Sequence, residues 1–329
     1  MKLYKKNGYL NIEGLLEQPF VFNFIVGGRG TGKTYGILEY ALKYHKKIFM
    51  IRRTQAQAEI VGRKDFNPFR PIDQDITVQS ESKYHSAFYQ GENCIGYIAG
   101  LSTFAKIRGF DASDIDIMFY DEFIPELHET KLKHEDLALM NAYETVNRNR
   151  ELSGKPAVKL VCAANSNRID NIILQRFRLL NPLQKMMKSG KEIWTDPERS
   201  VQLVFLSSSP ISSAKSGTAI YNAVGSGEFS DMSIGNRFAE MPDNIISRNL
   251  KEYRILFRTG DLGVYASRSG QLKFYVCPTK ETPSRIYDTT EKDKKRLKAE
   301  NPFLMQWIIS GLFEFESLDV YTEFMDRLT

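Results

Sequence analysis

A glycine-rich segment of the chain has the residue types and the spacing of a phosphate-binding loop. Residues 27–34 read GGRGTGKT and fit the pattern GxxxxGK[ST], between a predicted strand and a predicted helix. Glycines let backbone N–H groups converge on phosphates, while Lys33 is expected to reach the β- and γ-phosphates and Thr34 to hold Mg²⁺. The pattern therefore predicts binding of ATP with Mg²⁺. The predicted nucleotide-binding residues are Gly27, Gly28, Arg29, Gly30, Thr31, Gly32, Lys33 and Thr34.

Two adjacent carboxylates supply the second half of a hydrolytic site. Asp121 and Glu122 follow the mostly apolar run 117–120. A buried strand would deliver both acids to the carboxyl edge of a parallel sheet, where ligands of open α/β sheets bind. We expect Asp121 to hold Mg²⁺ through water and Glu122 to activate the attacking water. On its own an Asp-Glu pair is more often a solvated strand end, but downstream of a phosphate loop it favours ATP hydrolysis.

Other polar residues each allow two interpretations. Asn165 follows the apolar run 158–164 and is either a sensor of the γ-phosphate or a turn asparagine. Arg148 and Arg150, in the segment NRNRE, each offer either an arginine finger for the developing charge or a favourable charge at a helix C-terminus. Lys106 lies in a basic element just before the acidic strand. The arginine pair 52–53 ends another strand, where it would meet either nucleotide or nucleic acid.

The elements that must position these residues alternate along the chain. Apolar runs and helical patterns succeed one another from residue 20 to about 180, which predicts a parallel sheet flanked by helices. The clearest strands are predicted at 20–26, 47–53, 115–120 and 158–164, with a hairpin around residues 91–93. Helices are predicted at 33–46, 55–63, 134–148 and 170–180.

A change in composition after residue 182 predicts a second region. Serine and glycine become frequent and indicate a long connection with one strand at 201–206, followed by an antiparallel meander and a helical end. We therefore expect an ATPase domain at 1–182, a linker region at 183–232 and a smaller C-terminal domain at 233–329.

Composition sets broad limits on function. The 329 residues carry a formal net charge of +5, which permits a polyanionic partner without requiring one. The three cysteines are far apart and form no CxxC pair, so neither a disulfide framework nor a zinc site is indicated. The N-terminal stretch lacks the apolar core of a signal peptide, and no run approaches the roughly 20 apolar residues that span a bilayer. These features predict a cytosolic protein.

The motifs taken together resemble one family. The order GGRGTGKT, IRR, GLSTFAKIRGF, IMFYDEF, NRNRE and CAANSN is similar to that of the large terminases, the viral DNA-packaging ATPases. It is most similar to the short packaging ATPases of small podoviruses with protein-primed linear genomes. The resemblance covers the first 180 residues well and the remainder thinly. It implies an α/β P-loop NTPase fold of the ASCE type, RecA-like, with a smaller C-terminal α+β domain resembling a vestigial RNase H-like nuclease.

The resemblance also implies roles and partners. Lys33, Glu122, Arg148 and Lys106 match catalytic positions, with Arg148 and Lys106 acting at the boundary to a neighbouring subunit, and Asn165 falls in a segment that couples hydrolysis to movement. Members form rings, commonly pentamers, on the portal of an empty capsid and drive double-stranded DNA inward. A packaging RNA is an open further partner. The implied location is the host cytoplasm, transiently at the portal vertex of the procapsid.

The predicted C-terminal strands lack the converging carboxylates that two-metal cleavage needs. Strand 252–258 has no central aspartate, Asp261 lies in a turn, and Asp288 lies beyond the meander. We therefore expect a nuclease-like domain without nuclease activity and a motor that translocates DNA at the cost of ATP. The alternatives are a terminase with an active endonuclease, a helicase-like ATPase, and a nucleotide-gated assembly factor at the portal.

Overall fold

A computed structural model shows two compact units. The first unit comprises Met1–Ile169 and Lys185–Glu240, and the second comprises Asp170–Gln184 and Met241–Thr329. The residues that the structure describes are 1–107, 109–126, 128–225, 238, 242 and 244–328.

The first unit is built on a nine-stranded sheet, in the order β3-β4-β5-β2-β6-β7-β1-β9-β8. The strands from β5 to β9 in that order are parallel, while β3 and β4 extend one edge and β8 the other in antiparallel fashion. The prediction of an α/β fold around a large sheet is thus confirmed. The strands are β1 Phe22–Gly27, β2 Ile48–Arg52, β3 Ile76–Ser82, β4 His85–Gln90, β5 Asn93–Gly100, β6 Ile117–Asp121, β7 Lys159–Ala164, β8 Ile193–Asp196 and β9 Val201–Leu206.

Helices follow the parallel strands and cover the sheet. Residues of β6 and β9 are buried along their whole length, as expected of strands with both faces covered. Helix α3 begins at a capping box, in which Thr54 accepts from the N–H of Gln57 and Gln57 returns a bond to the N–H of Thr54. The helices of the first unit are α1 Ile12–Leu16, α2 Lys33–Lys43, α3 Gln55–Val61, α4 Glu135–Asn147, α7 Pro210–Lys215 and α8 Ala219–Val224, while α5 Ile172–Arg176 belongs to the second unit and α6 Leu180–Ser189 is divided between the two.

Two parts of the predicted organisation differ from the structure. The predicted linker 183–232 contains β8 and β9, and β9 pairs with β1 inside the main sheet. Burial of all six residues of β9 explains its place there, because such a run gains most from cover on both faces. The part of that linker from 226 to 232 lies outside the described residues. The predicted helix 170–180 is divided into α5 and α6, since Arg178 adopts a positive φ of 55° between them.

The second unit has a five-stranded sheet in the order β13-β10-β11-β12-β14. The neighbouring strands β10, β11 and β12 form the predicted antiparallel meander, while β13 and β14 lie parallel to their neighbours. The strands are β10 Tyr253–Thr259, β11 Leu262–Ser267, β12 Phe274–Pro278, β13 Ile286–Tyr287 and β14 Phe313–Phe315, and the helices are α9 Glu291–Glu300, α10 Leu304–Ile309 and α11 Leu318–Leu328.

The second unit has an apolar core of its own, centred on aromatic residues of β12, β14 and α11. Phe313 is fully buried and its ring packs 4.7 Å from that of Phe274 and 6.0 Å from that of Phe324. Within the described part of the chain, no helix has the length and apolar character needed to cross a bilayer.

Candidate nucleotide-binding site

The glycine-rich loop (residues 27–34) connects β1 to α2, as predicted. Gly27 has to be glycine because a Cβ there would approach the Cβ of Leu206 to 2.5 Å. Gly32 has a φ of +89° and caps α2 at its N-terminus without a side-chain hydrogen bond. The N–H groups of the first helical turn are therefore not satisfied by a capping side chain and face the end of the loop, an arrangement suited to an anion.

Lys33 lies folded under the loop. Its ammonium donates to the carbonyl of Gly28 at 2.7 Å, to that of Gly27 at 2.9 Å and to Oδ1 of Asn165 at 3.3 Å. Burial lowers the pKa of Lys33 to about 7, and the charge of Asp121 partly opposes this change. A buried ammonium whose hydrogen-bond partners are neutral is electrostatically unsatisfied, so the site favours the arrival of an anion.

Thr34 and Asp121 bring a hydroxyl and a carboxylate together. Oγ1 of Thr34 lies 3.1 Å from Oδ1 of Asp121, which is 5% exposed at the end of β6. Burial raises the pKa of Asp121, while the guanidinium of Arg52 opposes the increase. Oxygen ligands of this kind are those that Mg²⁺ prefers, so the donor set fits the predicted metal.

Glu122 is held by an arginine on the neighbouring strand. Arg52, the last residue of β2, donates to Oδ2 of Asp121 at 2.9 Å and also to Glu122. Glu122 has a φ of 56°, an unusual conformation for a non-glycine residue, and its side chain is 50% exposed. Backbone strain of this kind is concentrated at functional sites. The pair keeps the carboxylate of Glu122 beside the buried Asp121.

The sheet order explains why these residues meet. Strands β2, β6, β7 and β1 are adjacent and parallel, so their carboxyl ends lie along one edge. That edge borders a cavity of about 310 Å³, lined by residues of the loop together with Asp121, Glu122 and Asn165. The structure thus assembles the loop, both predicted acids and Asn165 at one place.

Arg148 and Lys106 are not part of this assembly. Arg148 follows α4 with a φ of 47° and donates to the carbonyls of Phe110, at 2.6 Å, and Thr145. Lys106 is exposed and its ammonium lies 5.0 Å from the ring centre of Tyr84. Among the contacts that the described residues make, none joins either side chain to the loop. Their predicted action on a neighbouring subunit therefore stays a prediction.

The sequence did not decide the partners of two arginines, and it did not predict one lysine that contacts the loop. Arg52 binds the acids at and just after the end of β6. Arg53, only 2% exposed, binds Glu135 at 3.0 Å and Glu129 at 3.3 Å. In this structure both arginines therefore face carboxylates of the protein. The register that pairs Ile51 with Tyr120 would have placed Arg52 beside Asp121, had the order of the strands been known. The lysine, Lys215 on α7, donates to the carbonyl of Arg29 in the loop.

The known proteins that this chain resembles are DNA packaging proteins of phages. Residues 4–294 match the family model described as podovirus DNA encapsidation protein (Gp16). The DNA packaging protein of Bacillus phage phi29 is 23% identical over 297 residues, covering 88% of this chain and 84% of that protein. The DNA packaging protein of Bacillus phage B103 is 22% identical over 289 residues, covering 85% and 84%.

Two solved structures share the fold over almost the whole chain. The Phi-28 gp11 DNA packaging motor superposes with a TM-score of 0.69 at 16% identity, covering 98% of this chain and 99% of that one. The bacteriophage Phi-29 viral genome packaging motor assembly superposes with a TM-score of 0.65 at 19% identity, covering 100% of both chains. Because the family model matches most of the sequence, this chain belongs to the podovirus DNA encapsidation protein (Gp16) family.

Proposed function

We propose that this chain is the ATP-hydrolysing subunit of a motor that translocates viral double-stranded DNA into a preformed capsid. Family membership makes DNA packaging the process that the chain serves. The observation that carries the chemistry is the burial of Lys33 under the glycine-rich loop, beside Thr34 and Asp121. These residues form a P-loop site at the carboxyl edge of an ASCE-type, RecA-like sheet.

Different residues of the site bind the phosphates and the metal. The backbone N–H groups of the loop and the ammonium of Lys33 bind the phosphates of ATP, and the phosphate charge replaces the neutral carbonyl partners that Lys33 now has. Thr34 and Asp121 would hold Mg²⁺, directly or through water. When bound, the metal neutralises phosphate charge and orients the oxygens of the transferred group.

Glu122 is the group that orients and deprotonates water in this proposal. Its side chain is now bound by Arg52, so hydrolysis requires Glu122 to leave that partner and turn toward the phosphate side of the cavity. The carboxylate of Glu122 is half-exposed, so water can solvate it when it leaves Arg52, and the cost of this movement is low. Asn165, bonded to Lys33, is placed to respond to the terminal phosphate.

Transition-state charge would be completed by a neighbouring subunit. Arg148 and Lys106 are both exposed, and their contacts lie away from the nucleotide-binding site of their own chain. We propose that they act in trans in a homo-oligomeric ring, with a pentamer as the expected ring size. An arginine supplied in this way contributes about 10³–10⁵ in rate to related hydrolases.

The second unit is proposed to be nuclease-like in fold and without nuclease activity. Asp261 and Glu323 do approach each other, but the guanidinium of Arg327 binds both and supplies the positive charge. Within the described residues, no group of three or more possible ligands is arranged to hold a metal ion. A role in binding DNA, the portal or a packaging RNA is proposed instead, at the portal vertex in the host cytoplasm.

The proposal is tested by the ATPase rate of the full chain, with and without long double-stranded DNA. Wild type is mixed in varying ratios with Glu122→Gln or Arg148→Ala, and Glu17→Gln, an exposed carboxylate elsewhere in the first unit, serves as the control. We expect DNA to stimulate the rate and a minority of either mutant to inhibit the assembly more than in proportion. A rate indifferent to DNA that falls only in proportion to the mutant added would leave an ATPase and refute the motor.

A further inference from the structure

Lys215 reaches the glycine-rich loop from a part of the chain without a motif. It is the last residue of α7, and its ammonium donates to the carbonyl of Arg29. The same ammonium lies against the Cα of Gly30, where an added Cβ would collide with it. The side chain thus lies on the phosphate-binding loop itself.

The sheet explains why this helix is beside the loop. Strand β9 runs parallel to β1, and its last residue, Leu206, is paired with Gly27, the first residue of the loop. The chain therefore leaves β9 at the same edge at which the loop begins, and α7 follows after three residues. A shift of the segment after β9 would displace the loop, and the reverse, because Gly27 is packed against the Leu206 side chain.

The charges of the loop are unevenly balanced. Arg29 forms an ion pair with Glu126, so its charge is compensated within the protein. Lys215 has a neutral carbonyl as its hydrogen-bond partner, and the ion pairs found among the described residues do not include it. Burial also lowers the pKa of Lys215, as expected for an ammonium without a carboxylate beside it. Lys215 is thus a second cation, after Lys33, that an anion in the loop would satisfy.

We propose that Lys215 binds the terminal phosphate of the nucleotide and favours ATP over ADP. This inference rests on the proposed ATP site and adds to it a residue for discrimination between the two nucleotides. The position beside Arg29 and Gly30 is at the end of the loop opposite Thr34 and the start of α2, away from the inner phosphates. On binding, the ammonium exchanges the Arg29 carbonyl for a phosphate oxygen, a charge-assisted hydrogen bond.

The sharpest variant is Lys215→Gln, since glutamine keeps a neutral donor for the Arg29 carbonyl and loses only the charge. Lys215→Arg keeps the charge. Lys46→Ala is the matched control, because Lys46 is an exposed lysine of the same unit that precedes β2 and so lies at the opposite edge of the sheet. Binding of a non-hydrolysable ATP analogue and of ADP, each with Mg²⁺, is measured calorimetrically on the full chain. Thermal unfolding without nucleotide verifies that each variant is folded.

For Lys215→Gln we expect affinity for the ATP analogue to fall by about 10- to 100-fold, the contribution of one hydrogen bond to a charged group, with ADP affinity nearly unchanged. Lys215→Arg and Lys46→Ala should keep the wild-type ratio of the two affinities. Equal weakening for both nucleotides would overturn the inference, since it would mean that Lys215 only supports the loop, and so would no weakening at all. Failure of the wild type to bind either nucleotide would instead overturn the proposed ATP site.

Discussion

Substitution of Arg52 by alanine should destabilise the first unit in the absence of nucleotide, and Mg²⁺-nucleotide should restore much of the loss. Arg52 is 13% exposed and Asp121 is 7% exposed, measured on their side chains, and Nη1 of the arginine lies 2.9 Å from Oδ2 of the aspartate. Removing one partner of a buried ion pair costs about 3–5 kcal/mol, because the remaining charge is left unpaired.

The lower end of that range applies here. The second pair, to Glu122, involves a carboxylate that is 50% exposed and adds little. The charge of the nearby Lys33 remains in the variant and compensates part of the charge of Asp121. We therefore expect a loss of about 3 kcal/mol at pH 7, which for a unit of this size lowers Tm by roughly 6–12 °C.

The assay is thermal unfolding of the full chain, with and without Mg²⁺ and a non-hydrolysable ATP analogue. The Mg²⁺ that Asp121 and Thr34 would hold with the nucleotide would supply positive charge beside Asp121, so ligand should raise Tm more in Arg52→Ala than in the wild type. Arg199→Ala is the control, since Arg199 pairs with Asp196 at the surface of the same unit and its loss should cost under about 1 kcal/mol. A Tm of Arg52→Ala within the range of the control, or equal ligand shifts in variant and wild type, would refute the assigned role of this pair.

Other predictions use the same structure. Glu122→Gln should bind ATP and lose turnover by about 10²–10⁴-fold in single-turnover assays, and loss of binding would mean that Glu122 has a structural role. Arg148→Ala should retain nucleotide binding, while in the wild type activity per subunit should rise with concentration; a flat dependence would count against action in trans. Glu314→Gln should destabilise the second unit at pH 7, because hydrogen bonds of 2.6 Å from Arg248 lower the pKa of Glu314. That contribution is present above the ordinary pKa of 4.5 and is lost as pH falls through the lowered value, so urea midpoints of variant and wild type should converge in acid.

Much of the candidate site was predictable because its residues follow patterns that are local in sequence. The loop from Gly27 to Thr34 and the acids that end β6 are each defined by a few adjacent residues, and apolar runs identify the strands that carry them. The two strands of the hairpin around residue 91 were likewise predictable from turn residues between apolar segments.

The remaining features depend on which strands are neighbours, and sequence pattern does not contain that information. The serine-rich surroundings of β9 indicated a connection, yet burial places this strand beside β1. When β9 is assigned to a linker, nothing in the sequence places Lys215 near the loop. The partners of Arg52 were undecided for the same reason, because they are 69 and 70 residues away and come near only through the pairing of β2 with β6.

Strand order also accounts for the composition of the site as a whole. Five neighbouring parallel strands, in the order β2-β6-β7-β1-β9, each end at or lead into it. They supply Arg52, the two acids, Asn165, the loop, and Lys215 in turn. With strands about 4.8 Å apart, the row is roughly 19 Å wide. In this structure Arg52 binds the two acids, while Lys33 and Lys215 donate to neutral oxygens, and phosphate with its metal would compete for these same groups. Binding of ATP should therefore change contacts on β2 and on the segment after β9 together, which makes these outer strands the places where the nucleotide state can act on the rest of the first unit.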